Sequence, residues 1–146
     1  MKRIYLSCLL CICMLISYAQ TQNNNVVVTE TNESIVPFID KLQNGEQFTI
    51  HYSSTGCFHN TKETMKFQRE NNTYYVIFNK EKKALDDNFI ENIRDFEKQL
   101  AQQNNMGCTT VDNYLMIYND VQRIAADGSC SWNGYSKLKK LFGFTA

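Results

Sequence analysis

Thr64-Met65-Lys66-Phe67-Gln68-Arg69-Glu70-Asn71-Asn72-Thr73-Tyr74-Tyr75-Val76-Ile77-Phe78-Asn79 holds two strand-like runs joined by a turn. Met65 and Phe67 share one face of the first run, with Lys66 and Gln68 on the other, the two-residue period of a pleated strand. The second run is denser in aromatic and β-branched side chains, which suits a more central strand. Glu70-Asn71-Asn72 is turn chemistry, so the two runs make a hairpin and the sheet begins antiparallel.

The flanking sequence extends this sheet. Residues 47–54 alternate Phe48, Ile50 and Tyr52 against Thr49, His51 and Ser53, and predict a strand ahead of the hairpin. Residues 55–63 then read as a long connection. Asp86 and Asp87 start the longest predicted helix, which runs to about Gln103 with Phe89, Ile90, Ile93, Phe96 and Leu100 as its apolar stripe. Their carboxylates also suit the positive end of the helix dipole. Residues 111–118 and 121–126 predict a second hairpin around Asn119-Asp120. A short helix capped by Ser34 is expected at the front, with Pro37 in its first turn, and another spans Tyr135, Leu138, Leu141 and Phe142. The runs Lys80-Glu81-Lys82-Lys83 and 137–140 read as solvated loop and helix faces. The expected fold is α+β: an antiparallel sheet of about five strands, in a β-β-β-α-β-β core, with helices packed on one face.

Met1-Lys2-Arg3, an apolar stretch over 4–16 and Ser17-Tyr18-Ala19 have the three parts of an export signal. The expected organisation is a signal peptide over 1–19, a polar tether over 20–33 and a single α+β domain over 34–146. Within the tether, Val26-Val27-Val28-Thr29 is expected to be a brief extended segment. Neither Cys8 nor Cys13 has the preceding residues that lipid attachment requires. The destination is periplasmic or extracellular. The chain carries 15 basic and 15 acidic residues, and losing Lys2 and Arg3 leaves it slightly acidic. That argues against nucleic acid or an anionic membrane as the main partner. No second apolar run approaches the ~18 residues of a spanning helix, so no membrane insertion is expected after cleavage.

Cys57, Cys108 and Cys130 remain after cleavage, in a compartment where disulfides form. With three strands before the long helix, chain direction puts Cys108 and Cys130 at one end of the sheet and Cys57 at the other. Cross-strand partners around Asn119-Asp120 set Cys130 beside Thr109, one position from Cys108. A Cys108–Cys130 disulfide is therefore favoured and would contribute roughly 3 kcal/mol by chain entropy. Cys57–Cys130 stays open, because the long loop around Cys57 could fold across the domain.

Cys57-Phe58-His59 sets a thiol and an imidazole in one loop, the raw material of an activated nucleophile. Their spacing aligns poorly, and no Asn or Asp stands out to orient the ring. His51, Cys57 and His59 could together form a zinc or copper site, but without Cys-x-x-Cys or His-Glu-x-x-His spacing. Ser53-Ser54-Thr55-Gly56 lacks the Gly-x-Ser-x-Gly elbow, and no phosphate or dinucleotide fingerprint occurs. No catalytic residue, metal or cofactor is expected. If Tyr75 and Ile77 face the core, the alternate face of Tyr74, Val76 and Phe78 must be covered as well, so either helices cover both sides or one aromatic face is open to a partner. These features imply a non-enzymatic binding or interaction domain whose partner is another envelope or secreted protein. The alternative is a cell-envelope thiol enzyme or metal-binding protein using Cys57, His59 and His51.

Two stretches, His51-Tyr52-Ser53-Ser54-Thr55-Gly56-Cys57-Phe58-His59 and Asp127-Gly128-Ser129-Cys130-Ser131-Trp132-Asn133-Gly134, resemble a family of small bacterial exported proteins. The resemblance implies no activity, cofactor or partner. It does imply that Cys57 and Cys130 belong to a recurring pattern, which weighs toward the Cys57–Cys130 alternative.

Overall fold

The computed structural model describes residues 35–104, 107 and 109–144. The expected signal and tether, Ser34 and Cys108 lie outside them. The elements in chain order are α1 (Phe38–Lys41), β1 (Gln47–Gly56), β2 (His59–Glu70), β3 (Thr73–Phe78) and β4 (Glu81–Leu85). These are followed by α2 (Asp87–Leu100), β5 (Val111–Tyr118), β6 (Val121–Asp127) and α3 (Gly134–Leu141). The class is the expected α+β. The strands form one antiparallel sheet in the order β4-β3-β2-β1-β5-β6, six rather than about five.

Strand β4 is the addition. Asn79 and Lys80 take left-handed backbone angles, φ 49° and 70°, and close a two-residue turn between Phe78 and Glu81. The stretch looks like a solvated loop in sequence because an edge strand tolerates charge on both faces. Lys83, on the helix side, lays its stem along the core and donates from Nζ to the Phe142 carbonyl at 2.8 Å. The same ammonium lies 4.4 Å from the centre of the Phe144 ring, so the edge is sealed by a snorkelling lysine.

A second correction concerns the connection after β1. It is no long loop: β1 pairs with β2 out to Gly56↔His59, leaving Cys57-Phe58 as the hairpin tip. The hairpin around Asn119-Asp120 has the expected register, with Tyr118↔Val121 and Asp112↔Asp127. The extra strand nevertheless reverses the expected end-to-end placement. Four strands before α2 return the chain to the other end, so β5 starts where β1 finishes, at Thr55↔Val111. β6 also ends there, which puts Cys57 and the Cys130 segment at the same end of the sheet.

The core lies between one sheet face and the helices. Phe48, Ile50, Met65, Phe67, Val76 and Phe78 are buried from the sheet, and Phe38, Ile93, Phe96, Leu100 and Leu138 from the helix layer. Val76 and Phe78, not Tyr75 and Ile77, thus face inward. The aromatic contacts include Phe48 stacked on Phe67 at 4.8 Å and Trp132 on Phe96 at 5.3 Å. Asp86 caps α2 as expected, its carboxylate accepting from the Phe89 N–H at 3.0 Å.

Helix α1 is a single turn beginning after Pro37, and its cap comes from α2. The Glu97 carboxylate, only 3% exposed, accepts from the N–H groups of Phe38 at 2.6 Å and Ile39 at 3.0 Å. Arg123 of β6 approaches at 3.6 Å and also donates to the Val36 carbonyl at 3.0 Å. Burial pushes the Glu97 carboxyl up to about 7, against the pull of the two N–H donors and Arg123.

The folded state therefore holds a proton that the unfolded chain releases near 4.5. Stability from this group is complete below about pH 4.5 and is lost as pH climbs to about 7, by up to ~3 kcal/mol. Urea unfolding of the wild type and Glu97→Gln at pH 5 and 7.5 measures it. The wild type should lose stability relative to the variant as pH rises, and parallel pH profiles would refute the assignment.

Candidate functional site: the uncovered sheet face

Side chains alternate across each strand, so the residues between the core positions point away from the helices. On that face lie Thr49, His51 and Ser53 of β1 and Lys62, Thr64 and Lys66 of β2. Tyr75 and Ile77 of β3, Asn113, Leu115 and Ile117 of β5, and Ile124 of β6 complete its middle. Ile124 is 68% exposed. A groove of about 600 Å³ runs over β1, β2, β5 and β6, lined by His51, Lys62, Thr64, Asn113, Leu115 and Ile124 among others. His51 Nδ1 lies 3.1 Å from the Thr64 hydroxyl, which holds the ring along the groove.

The three residues singled out in sequence do not converge. Cys57 is a free, exposed thiol at the β1–β2 tip. His59 falls on the helix side of the sheet, where its Nε2 is 2.9 Å from Ser54 Oγ. His51 lies on the opposite face, five strand positions before the tip. Among the described residues no group of three or more Cys, His, Asp or Glu side chains is arranged to hold a metal ion. Cys130 is engaged with a partner rather than free. With Cys57 free, the Cys57–Cys130 pairing is not formed.

The Ser54–His59 contact was not legible in sequence, because it depends on the tight hairpin. Once Gly56 opposes His59, the ring folds back over Gly56 to reach the buried Ser54 hydroxyl. A Cβ on Gly56 would sit 2.6 Å from His59 Cε1 and 2.8 Å from Thr110 Oγ1, so glycine is required by that approach. Nearby, Tyr52 stacks on Tyr135 at 4.1 Å and packs against Tyr114 at 5.4 Å. Burial raises the pKa of all three phenols, so they act as ring packing and neutral hydroxyls rather than as bases. A hydroxyl and an imidazole in contact are the start of a nucleophile pair. Among the described residues no carboxylate is hydrogen-bonded to the ring, and Ser54 is satisfied by His59 as an ordinary buried hydroxyl.

These features define an α+β domain in which, among the described residues, helices cover one sheet face and leave the other uncovered. Compared with models of known protein families, with curated proteins and with solved structures, the chain matches none.

The fit of His59 over Gly56 has a measurable consequence. Gly56→Ala should cost about 1–3 kcal/mol by crowding the ring and Thr110. The cost should shrink in a His59→Ala background, as urea unfolding of the double-mutant cycle would show. An equal cost in both backgrounds would disprove the contact.

Proposed function

We propose that the chain is a small exported, non-enzymatic binding domain that meets its partner through the uncovered sheet face. One observation carries this reading: among the described residues the helices bury a single face, and the other retains Ile77, Leu115 and Ile117 half-buried and Ile124 exposed. Apolar side chains clustered on a solvated sheet are the composition of an interaction surface. The alternative, a thiol enzyme or metal-binding protein of the cell envelope, draws on the free, exposed Cys57. It is weakened by His51 and His59 lying on opposite faces, which leaves the thiol no pair of imidazoles to share.

Export enters through the residues 1–19, with Gln20 as the mature N-terminus and a periplasmic or extracellular destination. There the Cys108–Cys130 bridge would close the open end of the second hairpin. Native protein from the producing cell should give an intact mass starting at Gln20 and one thiol reactive per molecule, at Cys57. Reactive thiols at Cys108 or Cys130, or a mass that retains the leader, would overturn this part.

The binding reading is tested by capture from the native envelope with immobilised mature domain. A partner should be retained by the wild type and lost on Leu115→Asp with Ile124→Asp, with unfolding midpoints confirming that the variant folds. A partner retained equally by both would remove the uncovered face from the argument.

A further inference from the structure

The charge on the uncovered face is one-sided. Among the described residues its strand positions carry Lys62, Lys66 and Lys82, and a single carboxylate, Glu70. Glu70 is already committed, 2.5 Å from Lys82 Nζ, and Lys82 also lies over the Tyr75 ring at 4.2 Å. Glu63, at the groove margin, is held by Lys139 of α3 at 2.8 Å. That leaves Lys62 and Lys66 as cations facing solvent, about 13 Å apart along β2. Lys62 flanks the groove beside His51, while Leu115 and Ile124 form its apolar wall.

We propose, building on the binding reading above, that this groove receives an acidic, partly apolar segment of another protein. Its carboxylates would sit at Lys62 in the groove and at Lys66 further along β2, and its apolar side chains on Leu115 and Ile124. The other occupants fit less well. Two copies stacked across a twofold axis would oppose like-charged lysine faces, which disfavours an isologous pair. A glycan would want an open aromatic platform, yet Tyr75 is the one Phe, Tyr or Trp among the described strand residues of this face, and Lys82 covers it. A lipid surface would want a continuous apolar patch, whereas Thr49, Thr64, Gln68 and Gln122 interrupt this one.

The test titrates isotopically labelled mature domain with an alternating glutamate–leucine decapeptide. A lysine–leucine decapeptide, anionic phospholipid vesicles and dextran sulfate serve as comparison arms. The acidic peptide should shift amides of β1, β2, β5 and β6, and bind more weakly as salt rises. Lys62→Glu with Lys66→Glu should weaken it by about tenfold or more, whereas Lys137→Glu on α3 should not. No binding of the acidic peptide, equal binding of the basic one, or preference for vesicles or dextran sulfate would overturn the proposal. An envelope partner retained equally by the wild type and the double lysine variant would leave the binding reading standing and remove this inference.

Discussion

The pairing of β1 with β5 holds this molecule together. Every other strand contact joins chain neighbours through a two-residue turn, and forms locally. The β1–β5 ladder instead joins Phe48 to Tyr118 and Thr55 to Val111 across the whole length of β2, β3, β4 and α2. It fuses a four-stranded meander to a separate hairpin and gives the helices one continuous surface to cover. Closing so long a loop costs conformational entropy that local turns do not. The return comes from burial of Phe48, Ile50, Tyr114 and Met116 on that seam.

Once the seam is made, the helix layer is bound to one side. Helix α1 is too short to persist alone, and its first N–H groups are satisfied by Glu97 from α2 while Arg123 reaches over from β6. One buried carboxylate thereby ties three elements together. Such a group is costly to desolvate, which is why its proton is held so far above the ordinary carboxyl range. Lys83 does the corresponding work at the other edge, covering Phe144 and satisfying the Phe142 carbonyl.

The uncovered face follows from the same arrangement. With α1, α2 and α3 on one side, alternation alone decides which residues face away from them. His51 and Lys62 go to that side, His59 to the other, so the thiol-and-imidazole cluster of the linear sequence is dispersed across the sheet. What is assembled is a groove with Lys62 at its β2 side and aliphatic side chains at its β5–β6 side.

The local elements were legible in the sequence: the Asp86-capped helix with its stripe, the strand over 111–118, the hairpin near Asn71-Asn72 and the hairpin register at Asn119-Asp120. Each follows from a period or a turn read over a few residues. Tertiary structure decided β4, whose charged residues become a strand only beside β3 and above Phe144. It decided the tight Cys57-Phe58 tip, since Gly56 and His59 pair only as part of a long ladder. It also decided which face of β3 is inside, because Val76 and Tyr75 alternate equally well until helices choose a side. One uncounted strand was enough to bring the Cys130 segment to the Cys57 end, for in an antiparallel sheet every strand reverses the direction of all that follows.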